Sequence, residues 1–201
     1  MIGVIFGPPG SGKGTQAAAI DEAFDLDHLS TGEILRGEMA RATALGKQAK
    51  QFMAAGQLVP DRLLVPIVQR RLRRHRKGVL LDGFPRTLEQ ARALDALLAK
   101  DGRRVDFVVA LEVPEEVLVE RLLHRAAVEG RADDTREAIG ERMLEYHSLT
   151  APVLEHYRQA GVAVAAVDAM GTPEAVAERI RKALNLPRGR ASERGRPAAA
   201  G

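Results

Sequence analysis

The sequence predicts an α/β protein, a parallel sheet of about five strands covered on both faces by helices, and three observations point to it. The apolar run Ile2 to Phe6 gives way to Gly7-Pro8-Pro9-Gly10-Ser11-Gly12-Lys13-Gly14-Thr15 and then to the helix-forming Gln16 to Ile20. A second run, Val79-Leu80-Leu81, is apolar throughout and stops at Asp82-Gly83, as a strand buried on both faces does. Further short apolar runs alternate with segments of helical period, the order of a sheet built from strand–helix–strand units.

Each element has its own signal. After the first helix, Asp25 to Leu29 reads as a short strand and Ser30-Thr31-Gly32-Glu33 as the start of a helix through Arg41, with Ser30 and Glu33 spaced as a capping box. A helix over Leu45 to Ala55 stops at Gly56, and Asp61 stands as the N-cap of another through Arg74, with Pro66 inside it to remove one hydrogen bond and kink it. Thr87 and Gln90 form a second capping box for a helix to about Lys100. Asp101-Gly102 turns the chain into a strand over Val105 to Glu112, and Pro114 opens a helix ending near Arg125. Ala126 to Asp134 is small, polar and without period, which predicts a loop. Thr135 then caps a long helix that Pro152 interrupts, Val162 to Val167 is the last strand, and Thr172-Pro173 starts the final helix, to Leu184.

A chain of 201 residues, 45% hydrophobic, suits one domain with a substantial core. It has no apolar run near ~18 residues and no signal-peptide pattern, so a soluble intracellular protein is expected. With no cysteine, disulfides, thiolate metal sites and cysteine nucleophiles are excluded, and a metal would have to be held by oxygen. The formal charge of +3 does not mark a nucleic-acid binder. Arg188, Arg190, Arg194 and Arg196, against Glu193, carry all of it in a Gly/Pro/Ala-rich tail at 188–201 that is expected to be disordered, and residues 1–187 are formally neutral. Aromatics, at 3%, are too few for base-stacking platforms.

The glycine-rich turn carries the chemistry. Gly7, Gly10 and Gly12 let successive backbone N–H groups converge on a concavity at a helix N-terminus, which suits phosphate, and Lys13 adds a mobile charge for the outer phosphates. In the general pattern a hydroxyl follows the lysine; here Gly14 stands there and Thr15 comes one residue later.

Taken with Ser30-Thr-Gly-Glu-Ile-Leu-Arg36, Gly56-Gln-Leu-Val-Pro60, Leu81-Asp-Gly-Phe-Pro-Arg86-Thr-Leu-Glu-Gln90 and Gly130-Arg-Ala-Asp-Asp134, the turn resembles the adenylate kinase family from Met1 to about Leu184. Glycine at position 14 is itself usual there. The resemblance implies a P-loop kinase fold and reversible, Mg-dependent phosphoryl transfer from ATP to AMP giving two ADP. It also implies a single domain over 1–187, with a core of 1–29, 75–125 and 135–187, an NMP-binding insert at about 30–74 and a short lid at about 126–134. By the same carry-over Gly10, Ser11, Gly12, Lys13, Gly14, Thr15, Arg121, Arg125 and Gly171 are expected at ATP. Thr31, Arg36, Gln57, Leu58, Val59, Gly83, Phe84, Pro85, Arg86, Gln90, Arg131 and Arg142 are expected at AMP, and Asp82 at magnesium through water. Lys13, Arg86, Arg125, Arg131 and Arg142 would carry transfer, by positioning and charge rather than through a nucleophilic side chain. A cytoplasmic monomer without zinc, bound to neither membrane nor nucleic acid, completes the expectation.

On residue type alone several of these positions have plainer roles. Gln90 serves as a capping partner, Arg121, Arg125 and Arg142 as solvated helix charges, and Asp133 and Asp134 as turn formers. The five histidines show no ligand spacing. The short interval from Arg125 to Arg131 resembles the short-lid form. A UMP/CMP kinase of the same fold usually has Ala at the position of Thr31 and Asn at that of Gln90, so both residues favour AMP. The other alternative is a nucleotide- or RNA-binding P-loop protein that has lost transfer, against which the lid arginines argue.

Overall fold

The computed structural model describes residues 1–74, 78–129 and 135–185. Five strands, β1 (Ile2–Phe6), β2 (Leu26–Ser30), β3 (Gly78–Asp82), β4 (Phe107–Glu112) and β5 (Ala163–Asp168), form one parallel sheet in the order β2-β3-β1-β4-β5. Between them run α1 (Lys13–Phe24), α2 (Thr31–Ala40), α3 (Ala44–Ala54), α4 (Asp61–Arg74), α5 (Leu88–Ala99), α6 (Glu115–Glu129), α7 (Arg136–Glu145), α8 (Ala151–Gln159) and α9 (Pro173–Ala183). β1 and β3 are neighbours in register, with Ile5 opposite Asp82. The chain leaves β1 toward β2 and leaves β3 toward β4, so the loops after these two strands depart in opposite directions. That divergence opens a crevice at their carboxyl ends, where α/β sheets hold ligands.

Both faces of the sheet are covered. On one, Ile2, Val4, Phe6, Val79 and Leu81 pack with Leu35, Ala49, Leu64, Val68, Leu94 and Val153 from α2, α3, α4, α5 and α8; on the other, Ile5, Leu80 and Val109 pack with Ala17, Ile20, Val176 and Ile180 from α1 and α9. The segment read as an insert therefore shares the core of the sheet rather than building one of its own. Among the described residues no helix is long and apolar enough to cross a membrane.

Local signals place most helix starts. The hydroxyls of Ser30, Thr87, Thr135 and Thr172 each accept the N–H three residues on, and so does Thr43, which starts α3. Four expectations need correction. Asp61 is the first residue of α4, not its cap: Leu63 and Leu64 donate to the carbonyl of Pro60, and the Asp61 carboxylate is used elsewhere. Gln90 does not close a capping box on Thr87, because its carboxamide oxygen accepts from the N–H of Arg86. The segment 126–129 is the last turn of α6, since Ala126, Ala127 and Glu129 sustain a helix as well as they would a loop. Finally, α7 and α8 are joined by a π-helical turn, Tyr146–Thr150, and Pro152 sits at the start of α8, where its missing N–H costs nothing. Residues 130–134, with Arg131, and the tail lie outside the described residues.

Candidate active site

The loop after β1 and the start of α1 form the floor of the crevice. Gly10 and Gly12 take φ of 82° and 91°, a region costly for a side chain, so the glycine spacing is a backbone requirement. Ser11 is buried and its Oγ makes no hydrogen bond, which leaves a polar atom in the loop for an incoming group. The Lys13 ammonium folds back onto the loop itself, donating to the carbonyls of Gly7 at 2.7 Å and Pro8 at 3.0 Å. Burial lowers its pKa to about 8; Asp82 opposes that change, and Arg86, Arg142 and Arg125 add to it by repulsion.

Asp82, at the end of β3, is nearly buried, and its Oδ2 lies 3.4 Å from His28 Nε2 on β2. The alignment falls short of a hydrogen bond, so the pair is an electrostatic contact. Burial pushes the Asp82 carboxyl up, but His28, Lys13 and Arg86 outweigh it and hold the pKa below its ordinary value. Asp82 in turn raises His28. His28 had no role in the sequence; its contact depends on β2–β3 register, where the nearest sequence signal is only that a histidine sits in a strand.

Arg86 donates through Nε to the carbonyl of Gly83 at 2.9 Å, while its own carbonyl accepts from Thr150 Oγ1 in the π-helical turn at 3.0 Å. Burial and repulsion from Arg142 lower its pKa, with Asp82 and Glu145 opposing. Gln90 is 1% exposed, with Oε1 accepting from Arg86 N at 2.7 Å and Nε2 donating to Asp61 Oδ1 at 2.6 Å. Leu58 N donates to Glu145 Oε1 at 3.0 Å. Burial raises Glu145 despite that hydrogen bond. Asp61, Thr150 and Glu145 escaped the sequence reading because their partners lie 29, 64 and 87 positions away.

These groups surround one cleft of about 850 Å³. Gly10, Ser11, Gly12, Lys13, Gly14, Thr15, Arg36, Leu58, Asp82, Gly83, Pro85, Arg86, Arg121, Arg125, Arg142 and Gly171 all line it. Thr31, Val59, Phe84 and Gln90 are buried beside it rather than in its wall, and Gln57 is exposed. Thr31 donates to the carbonyl of Asp82 at 3.3 Å. Arg121 donates to the carbonyl of Ala169 at 3.3 Å, and Arg179 to those of Asp168 and Met170, so two arginines pin the loop that presents Gly171. Arg179 was not anticipated; its value lies in reaching back from α9, which its helical setting conceals.

The adenylate kinase family profile matches residues 5–162. The chain belongs to the adenylate kinase family. It is 50% identical over 183 residues to the adenylate kinase of Xylella fastidiosa (strain M12), covering 90% of this chain and 97% of that one. It is 49% identical over 183 residues to that of Xanthomonas euvesicatoria pv. vesicatoria (strain 85-10), with the same two shares. With the adenylate kinase of Parabacteroides distasonis it shares 48% over 184 residues, 90% of this chain and 96% of the other. As an adenylate kinase it is an enzyme of phosphoryl transfer, ATP and AMP giving two ADP, and the pyrimidine-kinase and non-catalytic alternatives are not favoured. The cleft's chemistry agrees, because Lys13, Arg36, Arg86, Arg121, Arg125 and Arg142 line it and would suit polyanionic substrates.

Proposed function

We propose that the named residues divide the reaction as follows. Gly10 to Thr15 hold the ATP phosphates on backbone N–H groups, and Lys13 leaves the carbonyls of Gly7 and Pro8 for the outer phosphates. Arg36 and Arg86 receive the AMP phosphate. Arg125, Arg142 and Arg131 neutralise the group in transit, and Arg121 and Gly171 bound the ATP side. An AMP phosphate oxygen bonds to the γ-phosphorus as the bond from that phosphorus to the ADP oxygen breaks, so no side-chain nucleophile or proton donor is required. Thr31, Gln90 and the backbone of Gln57, Leu58 and Val59 surround the AMP base, next to Gly83, Phe84 and Pro85.

The observation that carries this reading is the convergence of Lys13, Arg36, Arg86, Arg125 and Arg142 on one cleft. Arg86, Arg125 and Arg142 act on Lys13, and Arg142 and Arg36 on Arg86, from four separate elements around one cleft, with Asp82 and Glu145 in opposition. Such an arrangement suits polyanions, whose phosphates these cations would neutralise together.

Magnesium fits here as a companion of ATP. Among the described residues no three His, Asp or Glu side chains gather as a resident cage would require, whereas Asp82 is a nearly buried carboxylate held ionised at the cleft. Bound there, magnesium would neutralise phosphate charge, with Asp82 as partner to its water shell. The monomer and cytoplasmic assignments rest on the family resemblance alone.

The test is a phosphoryl-transfer assay with ATP against AMP, UMP, CMP and GMP. We expect kcat/KM for AMP to exceed the others by ~10⁴ or more, as in sites whose buried polar groups are left unpaired by the wrong base. Equal or better use of UMP or CMP would move the assignment to the pyrimidine kinases.

A further inference from the structure

The geometry points to Asp61 as a positioning residue that sets the purine selectivity of the enzyme by fixing which way the Gln90 carboxamide faces. This rests on the reading of Gln90 as part of the AMP base site. A carboxamide is nearly symmetrical in shape, and in a loose pocket it can rotate by half a turn to exchange its donor and acceptor. Gln90 is 1% exposed and held at both ends: Nε2 donates to Asp61 Oδ1 at 2.6 Å, and Oε1 accepts from Arg86 N at 2.7 Å. The two partners have opposite characters. An ionised carboxylate can only accept and a backbone N–H can only donate. Rotation would set Oε1 against the Asp61 carboxylate and Nε2 against the Arg86 N–H, losing two hydrogen bonds and creating two repulsions.

Each end of the amide keeps one unused valence, an N–H on Nε2 and a lone pair on Oε1. An N–H donor and a carbonyl acceptor are the complement of adenine's ring N1 acceptor and 6-amino donor. A 6-oxo purine presents the reverse, an N1–H donor and an O6 acceptor, and would suit only the rotated amide. Asp61 belongs to the first turn of α4 and Gln90 to the first turn of α5, so the lock lies between two helices rather than within one local motif. Arg86 supplies the other half by its backbone, which no side-chain substitution removes; Asp61 is the half that a mutation can test.

The experiment compares wild type with Asp61→Asn, which keeps the shape of the side chain but can accept or donate. Steady-state kinetics with AMP and with IMP, its 6-oxo analogue, measure the ratio of kcat/KM. In Asp61→Asn that ratio is expected to fall ~10- to 100-fold, the worth of a charge-assisted hydrogen bond, with KM for AMP rising and kcat at saturating AMP changing little. A purely structural role would lower the melting temperature and leave the ratio unchanged. A folded Asp61→Asn with the wild-type ratio overturns the proposal while leaving the adenylate kinase reading intact. A wild type that uses IMP as well as AMP overturns both. Should the variant fail to fold, NMR of the wild type decides: the Gln90 Nε2 protons are expected to exchange slowly with solvent at neutral pH, and fast exchange there overturns the lock.

Discussion

Lys13 must answer two demands, since the ligand-free loop buries its ammonium among arginines and the bound state needs it charged. Its pKa of about 8, against the ordinary 10.5, is the compromise. Between those two values the unfolded chain holds a proton at Lys13 that the folded chain has released. The residue therefore costs the ligand-free fold stability below pH 8, and the cost is relieved as pH rises from 8 to 10.5. A polyphosphate reverses the balance by raising the pKa well above 8. At pH 8 nucleotide binding should thus take up about half a proton, and at pH 6 close to none. Isothermal titration in buffers of different ionisation enthalpy measures this directly. Lys13→Met should bind more weakly with no uptake at pH 8, and an unchanged uptake would assign the proton to another group.

At the scale of elements, the proposed AMP side depends on how closely α2 and α3 approach. A Cβ on Gly46 of α3 would lie 2.2 Å from the carbonyl oxygen of Glu38, a backbone atom that cannot swing aside. Thr43 fixes the same corner, with Oγ1 donating to Glu38 Oε2 and accepting from Gly46 N. Gly46→Ala should cost ~1–3 kcal/mol by overpacking and displace α2, which carries Thr31 and Arg36. Chemical denaturation checks the stability, and kinetics should show KM for AMP raised with KM for ATP near wild type, because the phosphate loop lies elsewhere. The sequence made the ends of these helices legible, since a cap is a contact across three residues: Ser30, Thr87, Thr135 and Thr172 all do what their spacing implies. It did not reveal what Asp61 holds, why α6 runs on to Glu129, or the π-helical turn that lets Thr150 grip Arg86. Those features are decided by long-range packing, and residue type at one position cannot express it. In the candidate site, motif singled out the glycine loop and Arg36, Arg86, Arg121, Arg125 and Arg142, which line the cleft, but not the groups that contact Asp82, Gln90, Leu58, Arg86 and the 168–170 loop, namely His28, Asp61, Glu145, Thr150 and Arg179.

Across the whole molecule, a body that is formally neutral over residues 1–187 turns Lys13, Arg36, Arg86, Arg121, Arg125 and Arg142, from α1, α2, α6, α7 and the loop after β3, toward one cleft. Because residues 1–187 balance overall, the rest of that body carries no positive excess, so anion binding should be local to the cleft and valence-dependent. Inorganic tripolyphosphate isolates this effect because it has no base for Thr31 or Gln90 to read. At about 100 times its dissociation constant it should stabilise the protein by ~2.7 kcal/mol, which for a domain of this size is a rise in Tm of about 5–10 °C. Sodium chloride at the same ionic strength screens the repulsion but does not bridge the arginines, and should give much less. In Arg86→Ala, which removes the half-buried guanidinium acting on Lys13, the difference between the two salts should shrink. Thermal unfolding of wild type and variant in both salts checks this. A tripolyphosphate shift matched by sodium chloride, or one fully retained in Arg86→Ala, would mean that the cations of this cleft do not act together.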